Sequence, residues 1–123
     1  MRDAASQALR ARRLRFAKTV RKVALSLPAA VQSALDNVAI VIEESPKSDS
    51  DVLFGLYEGI PVSDRGSHYT LVLPDRIILF RQPLESEYGQ GAELERQIRV
   101  TLLHEIGHHV GLDEAEIDAI GLA

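Results

Sequence analysis

The chain has 123 residues, 46% of them hydrophobic and 26% charged, with a net charge of −4 and no cysteine. That length suffices for one domain with a real core, residues 1–123, and is too short for two. The missing thiols exclude a disulfide framework, a Cys-ligated metal site and a thiol nucleophile. They suit a reducing compartment. No stretch approaches the ~18 apolar residues of a membrane span, and no apolar segment follows the basic N-terminus as it would in a secretory leader. The expectation is a cytoplasmic protein with no membrane partner.

The charge is unevenly spread. Residues 1–22 hold eight basic residues against Asp3 alone, a net +7, whereas the remainder holds six basic against seventeen acidic, a net −11. A basic arm can meet nucleic acid or anionic lipid. Its simpler reading is a solvated extension of the first helix over residues 1–14, partly frayed. The most basic part has no interleaved aromatics, so nucleic acid is not expected as a partner.

From Ala4 to about Leu27 the composition is rich in helix formers, and Phe16, Val20, Val23 and Leu27 fall on one helical face. Pro28 stops that helix and can start a short second one through Val31 to Leu35. After a turn at Asp36-Asn37, the run Val38 to Ile42 reads as a buried strand. Residues 45–51 are a polar loop by composition, and Leu53 to Ile60 is a short strand or a structured loop carrying Gly55 and Gly59. Tyr69 to Leu73 and Arg76 to Phe80 flank Pro74-Asp75 and read as a hairpin. From Ala92 the helical pattern returns, with Leu94, Ile98, Leu102 and Ile106 in steps of four and Val100, Leu103 and Val110 as a second apolar sector. Gly111 ends this helix, and Asp113 can cap a last short one through Ile117 and Ile120.

The most informative residues close the long helix: His104-Glu105-Ile106-Gly107-His108. On a helix, His104 and His108 lie one turn apart, about 40° around the axis, so both imidazoles can reach one metal ion. Glu105 lies on the same side and can take a proton from a water on that metal as the water attacks a carbonyl. It can then pass the proton to the leaving amine. With no cysteine, Zn2+ held by histidine and carboxylate is the expected cofactor. A third ligand is needed. Gly111 permits a sharp turn, and Glu114 three residues later completes an H-E-x-x-H-x-x-G-x-x-E spacing. Asp113 and Asp118 are its competitors. His109 points about 100° away from His108 and is read as a structural histidine, hydrogen-bonded to backbone or carboxylate. His68 is read as a loop residue. Tyr57, Tyr69, Tyr88 and Arg81 are open candidates for oxyanion or substrate contacts, with structural roles as the simpler reading.

The segments FAKTVRKVALSLPAAV, NVAIVIEESP, LFGLYEGIP, LPDRIILFRQPL and HEIGHHVGLDEAEID, in this order over about residues 16–120, resemble the small bacterial zincin-like metallopeptidases. The resemblance implies an α+β, minimal zincin-like fold: a small mixed sheet packed on the H-E-x-x-H helix, with the N-terminal helix behind it. It also implies metallopeptidase activity on a peptide or unfolded protein substrate, with His104 and His108 as ligands and Glu105 as base. Such a short chain leaves little for a second wall of the cleft, so a substrate peptide would add to a sheet edge, near Arg76–Phe80 or Tyr69–Leu73. The alternative is a non-catalytic metal-binding or partner-binding module on the same fold.

Overall fold

A computed structural model describes residues 3–36, 38–47, 53–59, 75–113 and 115–116. Helix α1 spans Ala4–Ser26, and the Asp3 carboxylate caps it by accepting the Ser6 N–H at 2.8 Å. Its core face is the one that the spacing predicts: Phe16, Val20, Val23 and Leu27 are all buried. Leu27 turns extended, as the residue before a proline does, and α2 follows over Ala29–Ala34. The Gln32 side-chain amide donates to the Leu25 and Leu27 carbonyls at 3.0 and 2.8 Å, satisfying acceptors that the end of α1 leaves open.

Three strands follow: β1 (Val38–Glu43), β2 (Gly55–Glu58) and β3 (Asp75–Phe80). They lie in the order β1-β3-β2, with β3 parallel to β1 and antiparallel to β2. The mixed sheet and the N-terminal helix fit a minimal zincin-like α+β fold. One expectation fails here. Arg76–Phe80 offers no sheet edge, because β3 is hydrogen-bonded on both sides. Ile77, Ile78, Leu79 and Phe80 are all buried, which suits an interior strand. The other proposed hairpin arm, Tyr69–Leu73, lies outside the described residues, as does His68.

Helix α3, Arg81–Tyr88, begins directly where β3 ends. Its residues carry no amphipathic spacing that marks a helix in the sequence. Pro83 sits in its first turn, where a missing N–H costs nothing, and the neighbouring Gln82 N–H is taken by the Glu44 carbonyl at 2.9 Å. Arg81 is buried and forks onto Glu44 at the end of β1, through Nε to Oε2 at 2.9 Å and Nη2 to Oε1 at 2.8 Å. Its Nη1 donates to Glu85 at 2.6 Å, and Arg13 of α1 donates to Glu44 Oε1 at 2.9 Å. The Arg81 hydrogen bonds hold the Glu44 carboxyl down at about 2, well below its usual 4.5. Arg81 therefore has a structural role, and Tyr88 packs its ring on Phe54 at 5.4 Å.

Helix α4 spans Ala92–His109. Leu94, Ile98, Leu102 and Ile106 join the α1 face, Ile77, Leu79 and Leu84 in one core. Each such side chain contributes about 1.5–3 kcal/mol by leaving water. No helix among the described residues is long and apolar enough to cross a membrane.

Candidate metal centre

The last turns of α4 carry the site. Buried positions on α4 form a broad arc centred on Ile98 and Leu102, and Glu105 lies within it at 8% exposure. His104 and His108 sit at the margin of that arc, half-buried, where the helix meets a cleft. Their rings lie edge to face with centroids 5.0 Å apart. One nitrogen of each ring and one Glu105 carboxylate oxygen all lie within 4.8 Å of one another. Imidazole nitrogens and a carboxylate are donor types that zinc accepts, so the cluster fits a metal ion.

The helix ends sharply beside this cluster. Gly111 adopts φ 95°, its N–H bonds the His108 carbonyl at 3.0 Å, and the Leu112 N–H bonds the Gly107 carbonyl at 2.9 Å. This is the paired closure of a Schellman motif. It turns the chain back so that Gly111, Leu112 and Asp113 line the cleft opposite Leu53, Gly55 and Leu56. The cleft measures about 700 Å³ and opens over His104, Glu105 and His108. The Asp113 carboxylate accepts the Glu116 N–H at 2.9 Å, and Glu116 reaches back to the Asp113 N–H at 3.2 Å, a reciprocal capping box. Asp113 therefore lines the cleft and caps the next turn. Glu114 and Asp118 lie outside the described residues.

Two features of the surroundings escape the sequence reading. The first is how closely β2 approaches α4. A Cβ on Gly55 would stand 2.6 Å from the Thr101 methyl and 3.5 Å from Glu105 Cγ. Gly55 lets the strand lie directly over the helix turn that bears Glu105. An isolated glycine inside a strand pattern was the available signal. The second is a buried polar brace. His109 turns away from the metal cluster, and its Nδ1 stands 3.0 Å from Asp75 Oδ2. The Tyr57 hydroxyl donates to the same oxygen at 2.7 Å and lies 3.4 Å from His109 Nδ1. The side chain expected to be structural thus ties the end of α4 to both β2 and β3. At Gly59 a Cβ would collide with the Asp75 carboxylate at 2.5 Å, so the brace also requires glycine there.

The sequence profile of zincin-like metallopeptidases matches residues 35–122. The chain belongs to the zincin-like metallopeptidase family. The zincin-like region takes in the whole cleft from Leu53 to Asp113 and leaves α1 outside it, although the sequence resemblance reaches back to residue 16. No curated protein matches the chain at a significant level.

Proposed function

We propose that this zincin-like protein is a zinc-dependent peptidase that cleaves peptides or unfolded protein segments. The observation that carries this reading is the convergence of His104, Glu105 and His108 within 4.8 Å at the floor of an open cleft. His104 and His108 are the nitrogen ligands, and Glu114, three residues past the Gly111 turn, is the third arm. A zinc ion held by these residues would supply Lewis acidity towards a peptide carbonyl and a water molecule. Glu105 takes the proton of that water and delivers it to the departing amine. Burial of Glu105 between α4 and β2 fixes its carboxylate on one side of the reacting group. Leu53, Leu56 and Leu112 give the cleft apolar walls for substrate side chains. β2 runs along this cleft as an outer strand of the described sheet, and an extended peptide can lie beside it. The lack of cysteine suits action in the cytoplasm.

The test is metal content by mass spectrometry together with cleavage of an unstructured peptide library in the presence of zinc. The parent protein should hold about one zinc per chain and cleave. Glu105→Gln should retain the metal and lose cleavage, whereas His104→Ala should lose both. Undiminished cleavage by Glu105→Gln would remove the proposed base. Zinc bound with no cleavage of any library member would instead support a non-catalytic metal-binding module.

A further inference from the structure

The first half of α1 is largely exposed and meets the body through Arg13, which pairs with Glu44. From Asp3 to Arg15 every residue is exposed except Leu9, which is half-buried, and Phe16 is the first to enter the core. The twelve helical residues before Phe16 make an arm about 18 Å long. Arg13 and Lys22 are paired, with Glu44 at 2.9 Å and Glu95 at 3.0 Å. Arg10, Arg12, Arg15, Lys18 and Arg21 are exposed and have no ion-pair partner among the described residues. At about 100° per residue these five cations spread over roughly 200° of the helix circumference.

We infer that this arm binds duplex DNA by entering the major groove and contacting phosphates on both of its walls. A helix is about 10–12 Å across with its side chains, and the major groove of B-form DNA is ~12 Å wide. A helix that leaves its outer face and both flanks exposed can enter it by that face, and the cations spread over roughly 200° then face both rows of phosphates. The spread of charge selects this occupant over others. A flat acidic protein surface would meet one face of the helix and leave several of the five cations in water. A membrane needs a continuous apolar strip. The exposed Leu14 and Leu25 lie on one side of α1, but Lys18 and Arg21 stand between them. Single strands are bound by stacking on aromatics, and residues 3–15 contain none. The deep, narrow major groove of A-form RNA does not admit such a helix. The rest of the chain carries a net −11 and repels phosphate, which confines contact to the arm and to the exposed flank of α1 that continues it through Lys18 and Arg21. The sequence alone reads this segment as a solvated helix; the spread of its exposed cations over both flanks is what distinguishes the two.

The experiment is fluorescence anisotropy of a labelled random-sequence DNA duplex titrated with the full chain over a range of salt. Five phosphate contacts give a slope of about −4.5 in log affinity against log salt, a loss of a few hundredfold between about 50 and 200 mM. The variant R10Q/R12Q/R15Q/R21Q keeps helix propensity. It should bind at least ~10-fold more weakly with a slope shallower by about 3 to 4. Absence of binding at low salt, or unchanged binding by the variant, would overturn the inference. Anionic vesicles or polyglutamate that displaced DNA at equal charge would reassign the arm to a membrane or an acidic protein. Equally tight binding to duplex RNA would refute the groove assignment.

Discussion

Replacing Gly55 by alanine probes the contact that places β2 over Glu105. The new Cβ would meet the Thr101 Cγ2 at 2.6 Å and the Ile78 carbonyl oxygen at 3.2 Å. Ordinary carbon contacts begin near ~3.5 Å, so the strand or the helix must give by roughly 0.8–0.9 Å. Thr101 cannot simply rotate, because its hydroxyl donates to the Gln97 carbonyl at 2.8 Å and this bond holds the rotamer. The expected cost is that of overpacking, about 1–3 kcal/mol. For a domain of this size that lowers Tm by roughly 4–12 °C. Thermal denaturation measures the loss, and Thr101→Ser supplies the control because it removes the offending methyl and keeps the hydroxyl. The G55A/T101S protein should recover most of the deficit, leaving the smaller 3.2 Å contact to be absorbed. A double-mutant cycle should show a coupling of at least ~1 kcal/mol. A Gly55→Ala protein as stable as its parent, or one that Thr101→Ser fails to rescue, would refute the close-approach argument.

Glu44→Gln should weaken the protein at neutral pH and flatten its acid unfolding. The Glu44 carboxyl is held at about 2 against 4.5 unfolded, so its contribution is full above pH 4.5 and drains away as pH falls towards 2. Melting temperature against pH for both proteins reads this, and parallel curves through that window would count against the Arg81 fork. Gly111→Ala, at φ 95°, should cost about 1–2 kcal/mol in urea denaturation, with Gly111→Asn less harmful. An alanine variant of parental stability would rule out the positive-φ closure. His109→Leu withdraws a partner from the buried Asp75 carboxylate and should cost about 1–3 kcal/mol. Guanidinium denaturation of that variant matching the parent would show that the brace bears no strain of unfolding.

The sequence reveals the parts of this protein that depend on local periodicity. Phe16, Val20, Val23 and Leu27 declare the α1 face because one helix period relates them, and Leu94 to Ile106 do the same for α4. The His104–Glu105–His108 cluster is legible for the same reason: the four-residue step from His104 to His108 is itself a helical contact. What escapes depends on long-range pairing. Nothing local in Arg76–Phe80 shows that it will lie between two strands that precede it in the chain. Helix α3 follows β3 with no loop between them and has one buried apolar residue, Leu84, so no amphipathic period announces it. The Tyr57–Asp75–His109 brace joins residues from three elements, and only the folded topology brings them within hydrogen-bond reach.

The central strand β3 is apolar and buried on both faces from Ile77 to Phe80. Such a strand lacks the inside–outside alternation that ordinarily penalises a slip, so hydrophobicity alone would tolerate a shifted pairing. Its two ends supply what the middle lacks. Asp75 at one end is held by Tyr57 and His109, and Arg81, just past the other end, is held by Glu44 and Glu85. A slip of one residue would carry both charges about 3.3 Å from their partners while leaving them buried. The sheet is thus indexed by a pair of buried opposite charges, one at each end of the apolar run of β3. That indexing in turn sets where β2 stands above Glu105.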